Sequence, residues 1–245
     1  ETGRLVSAKR PRPWGALMHH AASIVDDAAD PPVAQITLAD GTSIPAGPDA
    51  AEALSRSLGR PVRVVSAAPQ GTALDELWME EKGPSLYGPV VGSEGDQPVI
   101  DVAPGLGAPP GTLFDFSAVH LVTSSALAAV GAVLPDGADV RRFRPNLVID
   151  TGAGGESFPE NDWVGRSIRV GKEVTVEGLM LTMRCVMVTL GQRDLEPDRG
   201  VMRAVADLNR VEVPGVGTYP CLGLYARVTA PGAVHVGDEV TLLPA

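Results

Sequence analysis

Cys185 sits in the stretch TMRCVMVTL (182–190), directly after Arg184 and inside an apolar run, and it is one of two cysteines in the chain. Two chemistries suit that setting. Unpaired cysteine is among the most buried residue types, and as a thiol it packs as a small hydrophobe. As a thiolate it is a nucleophile or a soft metal ligand. A zinc site needs close Cys/His spacing, and the four histidines and two cysteines show none; His19 and His20 are adjacent, which in a strand sends them to opposite faces. Nothing places His120 or His235 beside Cys185 as a base. The chain has no Cys₄ pattern for an iron–sulfur cluster, no GxGxxG and no GxxxxGK[ST]; GAGGES (152–157) is Gly-rich without a strand-to-helix context. A Cys185–Cys221 bridge requires the two strands to be neighbours.

A second group of residues suits an anion. RRFRPN (141–146) reads as extended, so Arg142, Arg144 and Asn146 share one face while Phe143, Pro145 and Leu147 share the other. Two guanidinium forks and an amide match phosphate or carboxylate oxygens. The plainer reading is a solvated strand face with ion pairs to acids such as Asp139 or Asp150. In LVTSSAL, Thr123 and Ser124 stand where a strand passes into a helix. Free amides and the helix dipole favour an anion there, while ordinary capping is the commoner role.

The elements that must hold these residues are mostly strands. GRLVSAK opens as one, and AQITLADGTSIP (34–45) carries Asp40-Gly41 between two extended runs, a hairpin signal. PDAAEALSRSLGRP (48–61) reads as a helix capped by Asp49 and stopped by Gly59 and Pro61, and VRVVSA (62–67) as a strand. In residues 88–111, eleven of 24 positions are Gly or Pro, so the boundary between an N-terminal β-rich domain (1–95) and a second domain (96–245) falls there. Beyond it come a strand and an Ala-rich helix in 117–134. RSIRVG, EVTVEGLMLTMRCVMVTL, GLYARVTAPG and HVGDEVTLLP then read as strands, with GVMRAVADLN (200–209) as a helix. Pro145 pushes Arg144 out of the right-handed helical region. Many short strands with few helices point to a mainly β (α+β), barrel-like domain rather than a βαβ fold.

Composition narrows the function classes. The chain has 245 residues, 44% of them hydrophobic and only 4% aromatic, enough for a core built from Val, Leu, Ile and Ala. A net charge of −10 argues against nucleic acid and against an anionic membrane surface as partners. The basic residues cluster locally, at Lys9, Arg10 and Arg12 and at Arg141, Arg142 and Arg144, which suits a small anion better than a polymer. No apolar run approaches the ~20 residues that span a bilayer, and the first residues lack a signal-peptide core. With two cysteines, a reducing cytoplasmic setting is expected.

Taken together, the stretches GTLFDFSAVHLVTSSAL, RRFRPNLVID, FPENDWVGRSIRVG, RCVMVTLGQRDLEPDRGVMRAV and CLGLYARVTAPGAVHVGDEVTLL, in that order over roughly residues 111 to 243, resemble the MOSC domain family. That family is named for the C-terminal domain of molybdenum-cofactor sulfurases. The first hundred residues resemble the β-rich region that precedes MOSC in the amidoxime-reducing subgroup. The resemblance implies a MOSC-type β-barrel packed against a smaller N-terminal domain. It also implies the molybdenum cofactor (molybdopterin) as ligand, with Cys185 as the thiolate on the metal. Arg144 and Asn146 would hold the pterin and phosphate, Thr123 and Ser124 would donate hydrogen bonds, and Tyr225 in LGLYA and Lys9 in VSAKR would make further contacts. Arg142 joins them from strand geometry alone. Three departures stand out: IVDDAADPPVAQI lacks the arginine of the subgroup, Met183 replaces a small hydroxyl residue, and LGQRDLEPDRG is longer than the eukaryotic turn.

Three functions compete at this level. The first is a molybdenum-dependent reductase of N-hydroxylated small molecules, served by a separate electron-transfer protein of ferredoxin or flavoprotein type, since the chain shows no ferredoxin or flavin motif of its own. The second is a sulfur carrier using a Cys185 persulfide. The third is a repurposed MOSC binding module without the cofactor.

Overall fold

The computed structural model describes residues 3–30, 32–67, 69, 71–77, 90–94, 97–102, 112, 114, 116–152 and 154–244. The chain divides into two compact units: Glu1–Ala103 with Leu190–Asp198, and Pro104–Thr189 with Arg199–Ala245. The Gly/Pro-rich boundary expected in 88–111 falls largely outside the described residues.

In the first unit, β1 (Ala21–Asp26), β2 (Val33–Thr37) and β3 (Ser43–Pro45) form one antiparallel sheet. The β2–β3 hairpin turns at Asp40-Gly41, where the Asp40 carboxylate accepts the Thr42 N–H at 2.9 Å. A second sheet has the order β4-β6-β5, from β4 (Leu74–Leu77), β5 (Val90–Glu94) and β6 (Gln97–Val102). Helix α1 (Pro11–Trp14) runs into a 3-10 turn, Gly15–His19. Helix α2 (Pro48–Leu58) buries Ala50, Ala53 and Leu54, spaced to lie on one face, and ends on Gly59 at φ 64°, a left-handed stop that glycine adopts without a Cβ penalty. Three local expectations need correction. GRLVSAK forms only an isolated bridge from Leu5 to Leu74. The α2 N-cap is Gly47, without a side-chain cap, because Pro48 already occupies the first helical position and Asp49 lies inside the first turn. VRVVSA is not a strand; the Ser55 hydroxyl takes the Val62 N–H at 2.9 Å and folds that segment back on α2.

In the second unit, a seven-stranded, nearly closed barrel sheet has the order β13-β9-β10-β12-β7-β8, with β11 on β12. Its strands are β7 (Val119–Thr123), β8 (Leu147–Ile149), β9 (Ser167–Val170), β10 (Val174–Met183), β11 (Arg210–Val213), β12 (Gly217–Ala230) and β13 (Val240–Leu242). Helices α3 (Ser124–Gly131) and α4 (Gly200–Leu208) belong to the same unit. The fold is mostly β, as the strand pattern requires. Both faces of β7 are buried, which explains why apolar residues stand on both of them. Leu121 joins the cluster inside the barrel with Ile168, Val176 and Leu224. Val122 faces the opposite way, into a cluster with Phe143, Val201, Val205 and Leu222 that α3 and α4 cover.

Strand β12 breaks its alternation between Cys221 and Leu224. Cys221 and Leu224 both belong to the barrel cluster although they are three residues apart, and Leu222 belongs to the other. Two residues of β10, from Leu181 to Met183, span three of β12, from Leu224 to Cys221. This is a β-bulge, and Gly223 at φ 92° is its pivot. Bulges re-aim neighbouring side chains, and this one lies two residues from Tyr225.

Two expectations in this unit also change. RRFRPN is not extended: Asp139 accepts the Arg141 N–H at 2.9 Å and starts a 3-10 turn, Val140–Arg142. Arg144 then takes the left-handed conformation, φ 56°. Pro145 does bar it from the right-handed helical region, but the chain turns instead of extending, so Arg142, Arg144 and Asn146 do not share a strand face. The long strand through Cys185 ends at Met183, and Val186–Thr189 coil into a 3-10 turn that buries Val188.

Candidate functional site

Cys185 leaves the end of β10 partly exposed, and it forms no disulfide with Cys221. The residue before it anchors this exit. The backbone N–H of Arg184 donates to Pro220 O at 2.9 Å. One guanidinium nitrogen donates to Phe143 O at 3.0 Å and another to Leu222 O at 3.4 Å, and the guanidinium carbon lies 5.4 Å from the centre of the Phe143 ring. Arg184 thus ties the entrance of Cys185 to the 140–146 turn and to the bulge of β12. The residue after the bulge's start is satisfied in the same manner: the Gly223 N–H donates to Glu160 Oε1 at 3.2 Å. Cys221 is chemically quiet. Burial pushes its thiol up to about 12 against the opposing charge of Arg184, so it stays protonated.

Arg142 is buried, and its guanidinium donates to Val188 O at 3.4 Å, fixing the 3-10 turn that follows Cys185. Arg141 takes the ion pair with Asp139, at 2.7 Å, and this hydrogen-bonded guanidinium holds the Asp139 carboxyl below the usual range. Arg144 is exposed, and among the described residues no hydrogen bond or ion pair engages its guanidinium. Asn146 brackets His120: its side-chain oxygen accepts the His120 N–H at 2.7 Å, and its own N–H donates to His120 O at 2.7 Å. Tyr225 pairs across β12–β7 with His120, ring centroids 5.5 Å apart, and its ring also meets that of Phe116 at 5.0 Å.

The helix start is filled from within. The Thr123 hydroxyl donates to Glu160 Oε2 at 2.6 Å and accepts the Ala126 N–H at 3.2 Å. The Ser124 hydroxyl donates to Asp150 Oδ1 at 3.1 Å and accepts the Thr151 N–H at 3.0 Å, while the Thr151 hydroxyl takes the Ser125 N–H at 3.3 Å. Capping is the role these contacts show. Lys9 belongs to the first unit, in a turn where its N–H donates to Ser7 Oγ at 3.2 Å. Cys185, Arg142, Arg144, Asn146 and Tyr225 all belong to the second.

A sequence profile of the MOSC domain matches residues 109–241, more than half of the chain. The chain belongs to the MOSC domain family. The chain is 30% identical over 131 residues to a Danio rerio protein named mitochondrial amidoxime-reducing component 1, over 51% of this chain and 37% of that one. It is 28% identical over 138 residues to the Homo sapiens protein of that name, covering 53% and 38% of the two chains. Against the mitochondrial amidoxime reducing component 2 of Bos taurus it is 26% identical over 135 residues, 51% and 37% of the two. This MOSC chain therefore spans well under half the length of the curated relatives it matches.

Three residues important to the site geometry escape a reading of the sequence. Arg184 reads as the residue that a strand would turn to the face opposite Cys185, yet it is the clamp. Glu160 lies in FPENDWVG, where acids suggest a wet turn; in the MOSC domain it is fully buried, and burial raises its pKa against the hydrogen bonds that favour the anion. His120 is the polar residue in the apolar run VHLV, the one local sign that it has a partner.

Proposed function

We propose that this MOSC protein binds the molybdenum cofactor through Cys185 and uses it to reduce N-hydroxylated small molecules. The observation that carries the reading is the pairing of a partly exposed thiol with an exposed guanidinium that has no partner among the described residues. Cys185 and Arg144 sit on segments joined by Arg184. The donor set fits such a group: a soft thiolate suits molybdenum, and a guanidinium and an amide suit the oxygens of a phosphate-bearing pterin. Arg144 and Asn146 are assigned to the anionic part of the cofactor and Tyr225 to its organic surface. Arg142, Thr123 and Ser124 hold the surrounding loops.

When bound, the group supplies a two-electron redox centre. Reduction of an N–OH compound to N–H consumes two electrons and two protons and releases water. The electrons come from a separate ferredoxin- or flavoprotein-type donor, and the acidic net charge of −10 suits a donor with a basic docking face. The protein's own residues orient the ligand and keep the thiolate at the rigid end of β10. The names of the relatives support the substrate class.

The test is turnover of an amidoxime by the cofactor-loaded protein with a chemically reduced viologen as donor. Formation of the amidine by wild type and its loss in Cys185→Ala supports the reading; an inactive, fully loaded wild type rejects the substrate class.

A further inference from the structure

His120 meets Arg184, Arg144, Asn146 and Tyr225 at once. Its Nε2 lies 3.4 Å from an Arg184 guanidinium nitrogen, its Nδ1 lies 3.4 Å from Arg144 O, and its backbone is bracketed by Asn146. Its ring packs on Tyr225. A guanidinium carries donors only, so Nε2 is the acceptor and the ring proton sits on Nδ1, facing the Arg144 carbonyl. A second proton would set N–H against N–H and cation against cation. The seat for the ring is made by the bulge: a Cβ on Gly223 would stand 2.6 Å from Nε2 and 2.6 Å from Leu121 O.

We infer that His120, neutral and protonated at Nδ1, is the positioning residue of the site. One imidazole links Arg184, which leads the backbone into Cys185, to the left-handed turn that presents Arg144 and Asn146. It thereby sets the thiol and the guanidinium in a single relative geometry. The inference rests on the proposal that these three residues face the ligand, and it assigns His120 to holding them.

The experiment compares His120→Gln and His120→Phe in the full chain. Glutamine keeps one acceptor for Arg184 and one donor for the Arg144 carbonyl; phenylalanine keeps the ring and its packing on Tyr225 and loses both. Nitrogen-15 spectra of the wild-type imidazole read the tautomer. The alkylation rate of Cys185 by iodoacetamide on cofactor-free protein, followed by peptide mass mapping, reads the thiol's setting, and bound molybdenum after reconstitution reads the cradle. We expect the Nδ1–H tautomer, wild-type-like alkylation in the Gln variant, a changed rate in the Phe variant, and molybdenum affinity about tenfold lower in Phe than in Gln. An Nε2–H tautomer overturns the inference, as do Gln and Phe variants that behave alike in both chemical readouts. If wild type binds no molybdenum, the functional proposal fails, while the tautomer and the alkylation comparison still decide the role of His120.

Discussion

The Thr123 hydroxyl donates to the Glu160 carboxylate at 2.6 Å, both side chains being fully buried. The other carboxylate oxygen takes the Gly223 N–H, so one acid joins the start of α3, the Pro159–Trp163 turn and the bulge of β12. Glu160→Ala removes the acceptor from two buried donors. Each orphaned group costs roughly 1–3 kcal/mol, so the variant should lose about 2–6 kcal/mol in urea unfolding. A loss below about 1 kcal/mol would mean that water replaces the carboxylate there.

The same acid gives a pH dependence whose sign follows from burial. Desolvation raises the folded-state pKa of Glu160 above the ordinary glutamate range. Its protonation therefore contributes stability that is complete below that range and is lost as pH rises through the raised value. Glu160→Gln stays neutral throughout. Wild type should lose stability relative to the Gln variant as pH rises above the ordinary glutamate range, read as the difference in urea midpoints. A wild type that instead gains on the Gln variant would show that the Thr123 and Gly223 hydrogen bonds outweigh burial.

Gly223→Ala should be among the most damaging small substitutions in the chain. The added Cβ meets Leu121 O, which is backbone and cannot move aside, and φ 92° is strained for any residue with a side chain. Overpacking and the left-handed cost together come to about 2 kcal/mol or more. Thermal unfolding monitored by far-UV circular dichroism reads the loss. An unchanged melting temperature would mean that the bulge relocates.

Arg144 holds a conformation that favours glycine, φ 56°, at a cost of about 1 kcal/mol or more. Arg144→Gly should leave stability unchanged or raise it by up to about 1 kcal/mol, whereas Arg144→Ala keeps the strain; both should lose cofactor binding. Stability favouring Arg over Gly, with binding intact, would assign the guanidinium a purely structural contact.

Much of the architecture is legible in the sequence because local chemistry decides it. Asp40-Gly41 makes its hairpin, Gly59 stops α2, and GVMRAVADLN buries Val201, Ala204 and Val205 on one helical face. The site is less legible. RRFRPN alternates polar and apolar residues as a strand does, and only the Asp139 cap and the left-handed Arg144 turn it. The apolar run of β10 continues past Met183 because Val188 is buried in a 3-10 turn, which hides the strand end that frees Cys185. Glu160 and His120 acquire their meaning from Gly223, 63 and 103 residues further along the chain, and no local pattern carries that information.

The claim that Cys185 holds the molybdenum cofactor is tested most directly by elemental analysis of wild type and Cys185→Ala, each reconstituted with the cofactor and desalted. Wild type should retain about one molybdenum per chain and the variant close to none, with the two cofactor-free proteins melting at similar temperatures because Cys185 is only partly buried. Equal molybdenum content in the two proteins, or none in wild type, would contradict it.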